Sequence, residues 1–180
     1  PRYRVVPLRI GVIRTDRLGD MVLTLPMFSA IREHIAGAHT TLLTRSYVRP
    51  LLRDTTVVDR VVYLDEDARP LSNILRELEL DVVFFPRPRF SEAWAAVRAG
   101  IPTRVGSAYR WYAPLFTTRV HDHRRDALHH EAEYNVRMIA RAFSLAEPAV
   151  HLVPPRPPAA SRSGRPQIIF HPGSGGSARD

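Results

Sequence analysis

The chain has 180 residues and a formal charge of +8, from 26 basic and 18 acidic side chains. That length suits one domain with part of another, and 44% hydrophobic with 24% charged residues excludes wholesale disorder. Cysteine is absent, which removes disulfide scaffolds, thiolate metal sites and cysteine nucleophiles. Every non-histidine cation is an arginine, and the basic balance favours phosphates, nucleic acid or an anionic membrane surface as partners. No apolar run approaches the ~18 residues of a membrane span. The opening Pro1-Arg2-Tyr3-Arg4-Val5-Val6-Pro7 lacks an apolar signal core, so a cytoplasmic location is expected.

The first element is a short β-branched run, Leu8–Ile13, which reads as a buried strand. Met27, Ala30, Ile31 and Ile35 then recur at helical spacing, with Pro26 suited to a first turn and Gly37 to a stop. Thr40–Thr44 is a second strand, 47–53 a short helix and Arg60–Leu64 a third strand. Leu71, Ile74, Leu75 and Leu78 predict a helix behind Pro70. Asp81–Phe85 is nearly all apolar, as a strand covered on both faces should be. Phe90, Ala93, Trp94 and Val97 mark a helix stopped by Gly100, and Thr103–Gly106 a fifth strand. Leu128, Ala132, Val136, Ile139, Ala140 and Phe143 stripe a long helix, with Glu133 and Arg137 as an i, i+4 pair on its other face. Strands alternating with helices predict an α/β fold, a parallel sheet of five or more strands with helices on both faces.

Residues 1–147 form the predicted domain, and 148–166 a proline-rich linker. Residues 167–180 read as a further strand running into the glycine loop His171-Pro172-Gly173-Ser174-Gly175-Gly176. They look like the opening of a second α/β domain.

Four groups of residues and one pair of arginines suit chemistry. The turn after the first strand, Arg14-Thr15-Asp16-Arg17-Leu18-Gly19-Asp20, lies where doubly wound sheets bind ligands. It carries neither a dinucleotide glycine fingerprint nor a P-loop. Asp20 has two roles open to it: a helix cap or dipole complement, or a general base. The second group is Gly173–Gly176, whose backbone N–H groups and Ser174 suit a phosphate that Arg179 would pair with. A basic-aromatic loop follows, Tyr109-Arg110-Trp111-Tyr112 with Phe116, suited to sugar rings, lipid headgroups or bases, or to burial in the core. Last are His121, His123, His129 and His130, which lack a carboxylate to complete a metal site and read as surface. Arg87 and Arg89, between prolines at the end of the fourth strand, sit where a ligand contact or ordinary loop charge belongs.

Together these residues resemble the ADP-heptose:lipopolysaccharide heptosyltransferases, glycosyltransferase family nine. The match runs through Ile13–Pro26, then Thr40–Arg45 with Val58–Val61, then Arg104-Val105-Gly106, then His171–Gly176. Arg179 stands where many members carry lysine. The resemblance implies the N-terminal half of a two-domain GT-B enzyme. Its first Rossmann-like domain binds the acceptor and its second the nucleotide sugar. It implies an inverting transfer without cofactor or metal, of a sugar, ADP-heptose being the expected donor, to a lipopolysaccharide or other glycolipid acceptor. Asp20 would be the catalytic base. Thr15, Arg17, Gly19, Arg45, Arg87 and Arg110 would contact the acceptor, and Ser174, Gly175, Gly176 and Arg179 the diphosphate. It implies peripheral contact with the inner face of the inner membrane. No recognised nucleic-acid motif is present, so no nucleic-acid partner is expected. The competing reading is a non-catalytic anion-binding module, either a degenerate family member or a nucleic-acid binder that uses the basic surface.

Overall fold

The computed structural model describes residues 7–151 other than Glu147. Six strands form one parallel sheet: β1 (Arg9–Ile13), β2 (His39–Thr44), β3 (Arg60–Tyr63), β4 (Val82–Phe84), β5 (Thr103–Ser107) and β6 (Thr118–Val120). Their spatial order is β3-β2-β1-β4-β5-β6, and every neighbouring pair is parallel. The expected sheet is therefore present, with one strand more at its edge. The predicted linker beyond residue 151 and the segment 167–180 lie outside the described residues.

β4 is apolar throughout and β1 is so after Arg9, because both faces of these strands are covered, while β2 buries Thr40, Thr41 and Thr44 beside Leu42 and Leu43. Side chains alternate between the faces with a period of two. Ile10 and Val12 of β1, Leu42 of β2 and Val82 and Phe84 of β4 join one core. Ile13, Leu43 and Val83, with Phe85 just beyond β4, join the other. The first core is closed by α1 (Leu18–Val22), α2 (Leu25–His34) and α6 (Glu131–Phe143), through Met21, Leu25, Phe28, Ile31, Met138 and Ile139. The second is closed by α4 (Leu71–Leu78) and α5 (Phe90–Ala99), through Ile74, Leu75, Leu78, Ala93 and Ala96. Burying one large side chain such as Phe84 contributes roughly 1.5–3 kcal/mol. The predicted helix at 47–53 is a 3-10 turn at Ser46–Val48 running into α3 (Arg49–Leu52).

Two helices differ from their predicted faces. Leu128 is exposed and lies outside α6. His130 starts that helix instead: its ring accepts from Ala132 N–H, and Glu133 accepts from the His130 N–H in return. In α5 the buried face is Glu92, Ala93, Ala95 and Ala96, while Phe90 and Trp94 face outward. Small alanines let the helix approach the sheet closely, and Glu92 is held inside by the Thr15 hydroxyl at 2.8 Å. Among the described residues no helix is long and apolar enough to cross a membrane.

Two buried polar groups fix the elements around the first turn. Thr24 donates its hydroxyl to the Asp20 carbonyl at 2.8 Å. Asn135, fully buried on α6, donates to the Leu23 carbonyl at 2.9 Å and accepts from Arg124 at 3.0 Å. The α1–α2 corner is thus tied to α6 by bonds that would cost free energy to leave unmade.

Candidate functional site

The strand order reverses between β1 and β4, so the connections leaving their carboxyl ends diverge and open a crevice. The segment Arg14–Asp20 leaves β1 there and Phe85–Arg89 leaves β4. Ser107–Arg110 follows β5, and Asp122–Arg124 follows β6.

Arg14 is the centre of this crevice. Its side chain is 2% exposed, and it reaches three carboxylates. Nε lies 2.5 Å from Asp16 Oδ1, Nη2 lies 3.0 Å from Asp20 Oδ1, and Nη1 lies 3.6 Å from Glu131 Oε1. Asp16 is 3% exposed and is met from outside by Arg87 at 3.2 Å. Arg124 meets Glu131 in the same way. A buried ion of either sign is tolerable only with such partners.

Asp20 lies in the first turn of α1, with its side chain 33% exposed. The cap position of that helix is Arg17, which makes no side-chain capping bond. Asp20 is therefore placed to complement the helix dipole and to face solvent at once. Burial pushes its carboxyl above the ordinary value, and the charges of Asp16 and Glu131 push the same way against the pull of Arg14. A carboxylate of raised basicity, anchored by a buried guanidinium and open to solvent, can accept a proton from a bound hydroxyl.

Arg14, Arg17, Asp20, Arg87 and Arg110 line one open cavity of about 850 Å³, together with Tyr109, Asp122, Arg124 and Glu131. Thr15, Arg17, Arg45 and Arg87 line an adjoining hollow of about 580 Å³, with Tyr47 and Arg89. The structure thus gathers Asp20 and five of the six predicted acceptor contacts at the carboxyl end of the sheet. Gly19 is exposed on α1, and a Cβ built there meets nothing within 4 Å. Ser174, Gly175, Gly176 and Arg179 lie outside the described residues.

Sequence reasoning passed over Asp16, Glu131 and Glu92. Asp16 had a visible signal, being two residues from Arg14 in the same turn. Glu92 had one too, as a carboxylate among alanines on a helix. Its carboxyl is raised by burial, opposed by the hydrogen bond from Thr15. Glu131 had none, since only the tertiary fold brings α6 to the end of β1.

Among the described residues the histidines join no cluster of three metal-ligating side chains. His130 caps α6, His123 packs edge-on against Tyr109 with ring centroids 4.5 Å apart, and His129 packs edge-on against Tyr134. The basic-aromatic loop divides: Tyr112 and Phe116 are buried, while Tyr109 and Trp111 are exposed.

No family model matches the chain. It is 26% identical to a Haemophilus influenzae protein named "Putative glycosyltransferase", over 94% of this chain and 56% of that protein. The chain thus spans little more than half the length of that curated relative. Among solved structures it is similar to Escherichia coli ADP-heptose lipopolysaccharide heptosyltransferase II, with TM-score 0.70 and 20% identity over 86% of this chain and 47% of that one. It is similar to Escherichia coli heptosyltransferase WaaC with ADP, with TM-score 0.66 and 16% identity over 80% and 50%. It is also similar to a family 9 glycosyl transferase from Veillonella parvula, with TM-score 0.65 and 19% identity over 81% and 45%. The fold is that of the family-nine heptosyltransferases over about half their length, as the sequence resemblance implies.

Proposed function

We propose that this chain is the acceptor-binding part of a glycosyltransferase that inverts the anomeric centre. Asp20 accepts the proton of the acceptor hydroxyl while that oxygen bonds to the anomeric carbon. The bond from that carbon to the diphosphate oxygen breaks, and its electron pair leaves with the diphosphate. One displacement exchanges the two bonds on opposite faces of the carbon, so the configuration inverts.

The observation that carries this reading is the placement of Asp20. It is a solvent-facing carboxylate held by buried Arg14 at the switch point of the sheet. Around it stand exposed arginines suited to an anionic acceptor, with Arg17, Arg87 and Arg110 on one cavity and Arg45 on the next. The donor is a nucleotide sugar, and ADP-heptose is the donor we favour because one solved relative, Escherichia coli heptosyltransferase WaaC, is described both with ADP and with a fluorinated ADP-heptose. Ser174, Gly175, Gly176 and Arg179 would hold its diphosphate through backbone N–H groups and a guanidinium, the donors that stabilise a departing oxyanion. The acceptor is a glycolipid of the lipopolysaccharide-core type, rich in carboxylate and phosphate, met at a membrane surface.

The test is sugar transfer by the complete enzyme that contains this chain, measured with ADP-heptose and a core glycolipid. Asp20→Asn and Asp20→Ala should each lower kcat by about 10²–10⁴, the usual worth of a positioned base. Near-normal turnover in both would reduce Asp20 to a helix-terminal charge.

A further inference from the structure

Beside the cavity the chain exposes an aromatic patch that sugar transfer does not use. Phe90 and Trp94 on α5 and Trp111 after β5 all face solvent, Trp111 with 79% of its surface. The three rings form a stack, with Phe90 centred 6.4 Å from Trp94 at 12° and 4.9 Å from Trp111 at 25°. The stack is bolted to the interior. Tyr112, buried, packs edge-on against Phe90 and Trp111 and donates its hydroxyl to the Pro88 carbonyl at 2.7 Å. Tyr112 in turn rests on buried Phe116. A stacked, rigid, exposed aromatic group is unusual on a free protein surface.

The surrounding charge is one-sided. Residues 86–116 carry five arginines and a single carboxylate, Glu92, and that carboxylate is buried against Thr15. Arg98 and Arg110 are exposed and form no ion pair among the described residues. Arg98 lies one helical turn beyond Trp94 on the same face of α5, and Arg110 directly precedes Trp111. Tryptophan with flanking arginine is the composition of a protein surface seated at a lipid–water interface.

We infer that Phe90, Trp94 and Trp111 insert into the headgroup region of an anionic bilayer, with Arg98 and Arg110 on the lipid phosphates. The charge around the patch decides between a bilayer and a soluble glycan. Phe90 lies nearly parallel to both tryptophans, and arginines without an ion pair among the described residues stand on either side of the exposed rings, so the patch offers aromatic surface and cations together to a face of anionic headgroups. The inference deepens the proposed membrane-side acceptor and rests on that reading only for its purpose: the lipid binding stands or falls without any sugar transfer.

Trp94 and Trp111 are the only tryptophans in the chain, so intrinsic fluorescence reports on this patch alone. The purified chain is titrated with vesicles of phosphatidylglycerol and phosphatidylcholine, with phosphatidylcholine alone, and with a soluble anionic oligosaccharide. The anionic vesicles should shift the emission to the blue and bring quenching by bromine-labelled acyl chains. Trp111→Ser should lower vesicle affinity by about tenfold or more, the worth of one large aromatic removed from water. Arg98→Gln should lower it by about fivefold, the worth of one cation at an anionic surface. An unchanged spectrum with vesicles, binding without bromine quenching, or a spectral shift with the oligosaccharide alone would overturn the inference. So would a dimer in sedimentation that Trp111→Ser dissolves, since the patch would then seat a second copy. Loss of transfer in Asp20→Asn with intact vesicle binding would leave this inference standing, and the converse result would leave the base assignment standing.

Discussion

Replacing Arg14 by methionine tests whether the crevice is held together by one buried cation. Methionine keeps the unbranched stem and removes the guanidinium. Asp16 at 3% exposure then keeps only the outer contact from Arg87, and Asp20 loses its ion-pair partner. Breaking a buried pair by removing one partner costs about 3–5 kcal/mol. Because Arg87 and Arg124 still reach Asp16 and Glu131, the lower end, about 3 kcal/mol, is expected. That is a large share of the ~5–15 kcal/mol that holds a domain folded. The loss should depend on pH. Without the pull of Arg14, Asp20, whose carboxyl burial and the charges of Asp16 and Glu131 already hold high, ionises still less readily in the folded chain than in the unfolded one. The folded variant then binds more protons in mildly acidic solution, so its stability recovers as pH falls. Urea unfolding at pH 7.5 and pH 5 measures both effects. A loss under about 1 kcal/mol at the higher pH, the range of an exposed pair, would refute the buried hub. An equal loss at both would refute its electrostatic origin.

Asp20 makes two opposed predictions. Its raised carboxyl favours the protonated form in the fold, so its charge reduces stability as pH rises above the ordinary 3.8 through the raised value. Asp20→Asn should therefore melt no lower than the parent at neutral pH by calorimetry, while activity collapses; a clear drop in Tm would show the charge to be structural. In the complete enzyme the acidic limb of kcat/KM should lie above 3.8, and a limb at or below it would separate Asp20 from the titrating base. Gly106→Ala would place a Cβ 2.6 Å from three ring carbons of Phe116, so it should cost about 1–3 kcal/mol as overpacking does. Phe116→Leu should return part of that loss in the double variant, and additive losses in denaturant titration would refute the contact. Raising salt should raise KM for an anionic acceptor through screening of exposed Arg17, Arg87 and Arg110, and a KM independent of salt would remove them from acceptor binding.

The fold was legible where burial alone sets the pattern. β1 and β4 lie between two cores, so their apolar runs mark them without help from neighbours, and β2 is marked by its β-branched threonines beside Leu42 and Leu43. α4 was equally plain, since Ile74, Leu75 and Leu78 all turn inward. β6 was not legible, because Thr118-Arg119-Val120 is an edge strand of three residues with a charge at its centre. α1 was hidden by its five-residue length. The outward turn of Phe90 and Trp94 ran against the rule that large apolar residues bury. Glu92 held by Thr15, and the alanines beside it, set that helix the other way.

The site was half legible, and the hidden half is electrostatic. Glycine, arginine and a carboxylate after the first strand mark a ligand turn from spacing alone, and they led to Asp20, Arg17 and Arg87. Sequence cannot say which charges lie inside. The fold turns the usual order over: Asp16 and Arg14 are nearly as enclosed as the core, while Arg17, Arg45, Arg87, Arg89 and Arg110 stand outside. An interior charge pair is poor evidence of stability, so its presence calls for a reason. The arrangement supplies one. In the proposed reaction the exposed arginines attract an anionic acceptor, while Asp20 has to take a proton beside buried Arg14, whose charge pulls its carboxyl down. Burial first, then Asp16 and Glu131, outweigh that pull and hold the Asp20 carboxyl above its ordinary value. Arg14 keeps the three carboxylates from repelling one another apart. In the proposed reaction its burial at the end of β1 is thus the condition under which the carboxyl end of the sheet can hold both an anion and a base.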